Sequence, residues 1–155
     1  MKDYNIQQVL FVSDKLKAEC AGLAGDSAAN IAEAEEVKNN IQKDVNQNAH
    51  WLFTYTAQEE LRGFVKGHPE QYPRYVEDLP EGPSCEMEWL YVDKKYQRQG
   101  IGAGLIKAYK DHARSQNMAS LFGYLSNSKP LKKFFKKFGF ETIGWHHLIG
   151  KSLVK

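Results

Sequence analysis

Three glycines, Gly100, Gly102 and Gly104, fall within five residues, where an apolar run ending in Leu90, Tyr91 and Val92 gives way to a helical pattern. Glycine in a helix interior costs about 1 kcal/mol relative to alanine, so this crowding needs a physical reason. A helix start without side chains is an anion site, because backbone N–H groups converge there and the positive end of the helix dipole favours phosphate. Gly100 and Gly102 remove the side chains that would keep a phosphate away. Gln97 and Arg98 stand where they can add donors at the rim, and Lys94 and Lys95 flank the same turn. Close packing of the helix on a sheet is another use for glycine here, and glycine content alone accommodates both readings. Two phosphate motifs are ruled out by the residues themselves. A dinucleotide fingerprint starting at Gly100 needs glycine where Leu105 stands, and no window supplies the G-x-x-x-x-G-K-[ST] of a P-loop.

Elsewhere, residues with chemical potential are scattered. Cys20 and Cys85 are the two cysteines, far apart and without metal-type spacing, which reads as two buried thiols in a reducing cytosol. Five histidines share no cluster; His146 and His147, adjacent on a strand, would face opposite sides, so no metal site is expected. Lys132, Lys133, Lys136 and Lys137 form a basic run read as a solvated helix face. Trp51, Trp89 and Trp145 are assigned to the core.

The elements that must position the glycine turn follow from periodicity. Residues 4–11 suit a first strand. Ser13 can cap a helix bearing Leu16, Cys20 and Leu23, which Gly22 and Gly25 would end. Ile31, Ala34, Val37 or Lys38, Ile41 and Val45 keep helical spacing, with Asp26, Ser27 and Asn30 as candidate caps. Residues 50–56 and 61–67 are aromatic and β-branched strands around a polar turn. Residues 68–83 hold four of the five prolines and read as a long loop of the kind that often carries function. It includes His68, Tyr72 and Tyr75, which either cover an acceptor pocket or pack at the surface. Ser84–Val92 is a fourth strand, 100–117 a helix, 119–125 a strand, 129–138 a short helix, and 141–155 two closing strands. The order predicts an α/β layer fold with a mixed sheet, antiparallel early and with one parallel crossover through the helix at 100–117.

Length and composition bound the rest. One domain spanning 1–155 is expected from 155 residues with 42% hydrophobic and 26% charged content. A formal net charge of +2 gives no basic excess for nucleic acid. No stretch has the apolar length to span a membrane and no signal peptide leads the chain, so a cytoplasmic location is expected. An exposed terminal strand could pair across a homodimer.

The turn itself resembles a known pattern. Gln97-Arg98-Gln99-Gly100-Ile101-Gly102 is similar to the Q/R-x-x-G-x-G/A signature of the GNAT N-acetyltransferase superfamily, which binds the pyrophosphate of acetyl-CoA. Leu90-Tyr91-Val92 resembles the end of that family's fourth strand. Phe134-Phe135-Lys136-Lys137-Phe138-Gly139-Phe140-Glu141 resembles its F-Y-E-K-x-G-F-E segment. The close resemblance covers about residues 84–145, and the N-terminal half agrees in its order of elements.

The resemblance implies a GNAT-like α/β fold: a mixed central sheet of six to seven strands, mostly antiparallel with a parallel crossover, flanked by about four helices. It implies direct transfer of an acetyl group from acetyl-CoA, the co-substrate, to a primary amine on a small molecule or peptide, with no metal. Leu90, Tyr91 and Val92 would meet the pantetheine arm and the thioester oxygen, and the backbone of Gln99, Gly100, Ile101, Gly102 and Ala103 would wrap the pyrophosphate. Glu86 falls where some members place a catalytic glutamate, with Glu88 next. The two share strand parity and can point to one face, although alternating polar residues also mark a strand's wet face. Asn127 resembles a family asparagine bonded to the pantetheine arm, in a register one residue longer than the commonest, so Ser128 competes for that place. Phe135 stands where the family often has the tyrosine acid. It can pack on the cofactor arm or the core but cannot donate a proton. Tyr124, water or unassisted thiolate departure remain for that step. The alternative function is a catalytically silent acyl-CoA-binding sensor or interaction module of the same fold; a nucleotide-binding domain is a third.

Overall fold

A strand buried on both faces reads as a continuous apolar run rather than an alternation, and residues 51–55 are all buried. They belong to β2 (Trp51–Ala57) of a computed structural model that describes residues 5–27, 31–41, 50–70, 79–124, 129–142 and 148–154. The chain runs β1 (Ile6–Gln8), α1 (Asp14–Ser27), α2 (Ile31–Ile41), β2, β3 (Glu60–Pro69), β4 (Ser84–Val92), α3 (Ile101–Ser115), β5 (Ser120–Tyr124), α4 (Lys129–Lys136), β6 (Glu141–Thr142) and β7 (Leu148–Ser152). The sheet has seven strands in the order β1-β2-β3-β4-β5-β7-β6. β4 and β5 pair in parallel, from Ser84 opposite Ser120 to Glu86 opposite Phe122. The registers of β1 with β2, β2 with β3, β5 with β7 and β6 with β7 are antiparallel. This is the α/β mixed sheet with four helices that the sequence predicts.

The chain divides into two compact units, Met1–Gly67 with Trp89–Tyr109, and His68–Glu88 with Lys110–Lys155. In the first, Cys20, Leu23 and Ala24 of α1 and Ile41 of α2 form a core with Leu52, Leu61 and Phe64. The opposite face of β2 turns Trp51 and Phe53 edge-on to Tyr109 of α3, with ring centroids 5.7 and 6.2 Å apart. Gly63 lies where a Cβ would come 3.0 Å from the Tyr91 carbonyl oxygen, 3.1 Å from Ile101 and 3.2 Å from Leu105. The absence of a side chain therefore lets β3 approach the end of β4 and the start of α3.

In the second unit, the Ala119 N–H donates to the Pro83 carbonyl at 2.7 Å and the Leu153 N–H to the Ala119 carbonyl at 2.9 Å, anchoring the start of β5. Phe135 and Phe140 are buried and edge-on, and Phe134 joins them against Phe135. β7 is flanked by β5 and β6, so the strand at the chain's end is not an edge; in the sheet order the edges are β1 and β6.

Several boundaries depart from expectation: β1 ends at Gln8 rather than at 11, and α3 and α4 end at Ser115 and Lys136, each two residues before the expected 117 and 138. α1 does not stop at Gly22 or Gly25 but continues to Ser27. A Cβ on Gly25 would lie 3.5 Å from that of Ala34, in ordinary contact, and packing of α1 on α2 outweighs the modest helix penalty of glycine. The Ser13 cap is as expected, its Oγ accepting from the Leu16 N–H at 3.1 Å. β3 also runs two residues further than the predicted 61–67, taking His68 and Pro69 out of the loop. The remaining candidate caps Asp26 and Ser27 lie within α1; Asn30, Val45, Tyr72, Tyr75, Trp145, His146 and His147 lie outside the described residues. Both cysteines are free and buried, and burial pushes each thiol up to about 12. Among the described residues no helix is long and apolar enough to cross a membrane.

Candidate active site

The glycine turn is built by backbone and side-chain braces from β3 and β4. The Asp93 N–H, one residue past β4, donates to the Arg62 carbonyl at 2.8 Å. The Asp93 carboxylate accepts from the Lys95 N–H at 2.9 Å and starts a 3-10 turn, Lys94–Tyr96. The Tyr96 hydroxyl donates to Glu60 Oε2 at 2.7 Å, and the Arg62 guanidinium lies 4.0 Å from the Tyr96 ring centre. The Gln97 side chain folds back and donates from Nε2 to the Val92 carbonyl at 3.1 Å. Its amide thus braces the turn rather than serving only as a rim donor. Arg98 then takes φ +62° and Gly100 φ +86°, left-handed conformations that turn the chain sharply and that glycine adopts without penalty.

What this delivers is an open helix N-terminus. The first bond of α3 runs from the Gly104 N–H to the Gly100 carbonyl at 3.0 Å, so the N–H groups of Ile101, Gly102 and Ala103 have no intrahelical acceptor. A Cβ placed on Gly100 meets nothing within 4 Å. Gln97, Arg98, Gln99 and Gly100 are exposed, and the first turn of α3 carries no acidic residue. Donors without an intrahelical acceptor, an open approach, the helix dipole and a first helical turn free of carboxylates fit a diphosphate. Ile101 faces the other way and is buried, fixing the turn to the core. Leu90, Tyr91 and Val92 are half-buried at the end of β4, and the Tyr91 ring lies 5.4 Å from that of Phe64.

The carboxylates share one face, as strand parity predicts. Glu86 Oε2 lies 3.2 Å and Glu88 Oε1 2.9 Å from the same atom, Nε2 of His68. All three side chains are three-quarters or more buried. His68 Nδ1 lies 3.1 Å from the Pro69 carbonyl oxygen, so both ring nitrogens face acceptors. Hydrogen bonds to Glu86 and Glu88 outweigh burial and raise the imidazole to about 10, leaving it a cation at neutral pH. Two carboxylates around one imidazolium carry a net negative charge. Sequence analysis puts His68 in the loop at 68–83, because Pro69 looks like a loop start, whereas it stands on β3 beside Glu86 and Glu88. The usable signal was its even spacing after Phe64 and Lys66, since proline is also tolerated at a strand's end.

Phe135 is buried among Phe134 and Phe140, Tyr124 closes β5, and Asn127 and Ser128 lie outside the described residues.

The model of the family described as Acetyltransferase (GNAT) family matches residues 19–140. The chain belongs to the GNAT family. The match contains β4, the glycine turn and α3, and it reaches Phe140. The chain is 25% identical over 112 residues to Probable N-acetyltransferase 14 of Xenopus tropicalis, covering 72% of this chain and 50% of that protein. It thus spans about half the length of that curated relative. Among solved GNAT structures, a putative acetyltransferase from Desulfovibrio desulfuricans superposes with a TM-score of 0.81 at 13% identity, covering 96% of this chain and 99% of that one. The PaiA N-acetyltransferase from Thermoplasma acidophilum, solved in complex with coenzyme A, superposes with a TM-score of 0.70 at 14% identity, covering 95% and 98%. At such identities the likeness is one of fold.

Proposed function

We propose that this GNAT protein transfers an acetyl group from acetyl-CoA directly to an amine on a small molecule or peptide, with residues 1–155 acting as one catalytic domain. The observation that carries the reading is the open N-terminus of α3 behind the left-handed Gly100. In it, the amides of Gly100, Ile101, Gly102 and Ala103, the backbone of Gln99 and the side chain of Arg98 hold the pyrophosphate. The backbone of Leu90, Tyr91 and Val92 lies against the pantetheine arm, which Asn127 also binds in the family pattern. When bound, acetyl-CoA supplies a thioester whose carbonyl carbon the amine attacks.

The residues of this chain then have to move a proton. An amine arrives as an ammonium and must lose a proton before it can attack. A carboxylate oxygen of Glu86 takes it, directly or through water, and Glu88 is the next choice; both lie where sequence parity and burial support a base. Direct transfer is supported by the thiols. The chain's two cysteines are buried and held near 12, so neither supplies the thiolate an acyl-enzyme route would need. Phe135 lacks a hydroxyl and packs in an aromatic cluster, so its part is packing and the leaving thiolate takes its proton from elsewhere.

Purified protein incubated with acetyl-CoA and a panel of primary amines is expected to release coenzyme A thiol only when an amine is present. Glu86→Gln should lower kcat by about 10²-fold or more with little change in coenzyme affinity. Saturable coenzyme binding without turnover on any amine would instead support the silent acyl-CoA sensor.

A further inference from the structure

A single ring nitrogen between two carboxylates is an unusual arrangement for a solvated strand face. His68 Nε2 is within 3.2 Å of one Glu86 oxygen and 2.9 Å of one Glu88 oxygen, while Nδ1 is tethered to the Pro69 carbonyl. The ring cannot rotate without giving up both contacts, so it fixes where the two carboxylates point. From this geometry we infer that His68 is the positioning residue of the acetyl-transfer site: it clamps Glu86 and Glu88 toward one point, at which the ammonium of a cationic acceptor takes over their hydrogen bonds. The inference rests on the transferase reading above and names its acceptor class, an amine that arrives positively charged.

The surroundings favour a cation. The groups that face the ring include Glu86 and Glu88 from β4 and the Pro69 carbonyl on its own strand. Ligand atoms of His68, Glu70 and Glu86 lie within 4.8 Å of one another. Two residues back on β3, the Lys66 ammonium sits over the Trp89 ring, 4.6 Å from its centre. Three carboxylates, Glu70, Glu86 and Glu88, outnumber two cations, the His68 imidazolium and the Lys66 ammonium, so an entering ammonium is attracted and can share the carboxylate oxygens with the ring. When a carboxylate accepts the ammonium proton, the free amine keeps its lone pair for the carbonyl carbon. The imidazolium offsets the charge that the second carboxylate retains.

Two measurements test this. Histidine NMR on the ligand-free protein should show the His68 ring still protonated well above its usual 6.5, and returning toward that value in the Glu86→Gln/Glu88→Gln double variant. In kinetics, His68→Ala should lower kcat by about tenfold or more and leave coenzyme affinity within about twofold. The loss should fall on kcat and on the KM for the amine, with the KM for acetyl-CoA unchanged, because the residue orients the groups that meet the amine. His68→Arg, which keeps a cation beside the carboxylates, should restore part of kcat. A ring titrating near its usual value, or a His68→Ala kcat within about twofold of wild type, overturns the clamp. Wild-type protein that turns over no amine would refute the transferase reading, and the NMR titration would still decide the clamp by itself.

Discussion

A carboxylate accepts a proton only along its lone pairs, so what holds Glu86 and Glu88 matters as much as their presence. His68 holds both from one atom, and its charge has a consequence for stability. Its folded value of about 10 lies above the usual 6.5, so the pairing stabilises the fold fully below about pH 6.5 and is lost as pH rises through about 10. The urea midpoint of the protein should therefore decline from pH 6.5 toward 9, and His68→Gln should flatten that decline. Above about pH 9 the buried thiols add a decline of their own, since both sit near 12 against an ordinary 9.0. A wild-type midpoint that is level from pH 6.5 to 9 would contradict the ion pair. At this scale the sequence showed the carboxylates, because parity on a strand is a two-residue rule. It did not show their partner, because a long-range contact between β3 and β4 leaves no local signature and Pro69 suggested a loop.

At the scale of elements, β4 and α3 do most of the positioning, and both were legible. β4 spans the predicted Ser84–Val92, and α3 starts one residue after the expected position, with Gly100 as its cap. The glycine crowding was open to two readings, an anion site and close helix–sheet packing. Gly100 turns left-handed over open space, while packing demands fall on Gly63, a glycine the motif does not contain. Gly63→Val puts methyl groups against the Tyr91 carbonyl, Ile101 and Leu105. Overpacking of this kind costs about 1–3 kcal/mol, or a Tm lower by roughly 2–12 °C for a chain of this size. Coenzyme binding should weaken with it, since the displaced atoms belong to the end of β4 and the start of α3. A variant with unchanged Tm and affinity would show that the close approach is not needed. The helix ends were less legible: Gly22 and Gly25 suggested a stop that packing against α2 overrides, because tertiary contact can offset a local penalty of about 1 kcal/mol.

For the molecule as a whole, fold class was readable because the order of elements and the single parallel crossover leave few topologies. Acceptor identity was not readable, because it depends on side chains brought together by strand pairing and on loops rather than on any periodicity. The two compact units do not divide the elements between them: β3, β4 and α3 each begin in one and end in the other. Neither unit therefore owns a complete set of hydrogen-bonded elements. Thermal unfolding followed by near-UV circular dichroism and by tryptophan fluorescence should give one coincident transition, whereas two separated transitions would mean independently folding parts.

The central claim is that the bare amides at the start of α3 hold the diphosphate of acetyl-CoA, and a crystal structure of the protein with coenzyme A tests it most directly. The account predicts diphosphate oxygens at about 2.7–3.2 Å from the N–H groups among Gly100–Ala103. A diphosphate bound elsewhere, with those amides facing only protein or water, would contradict it.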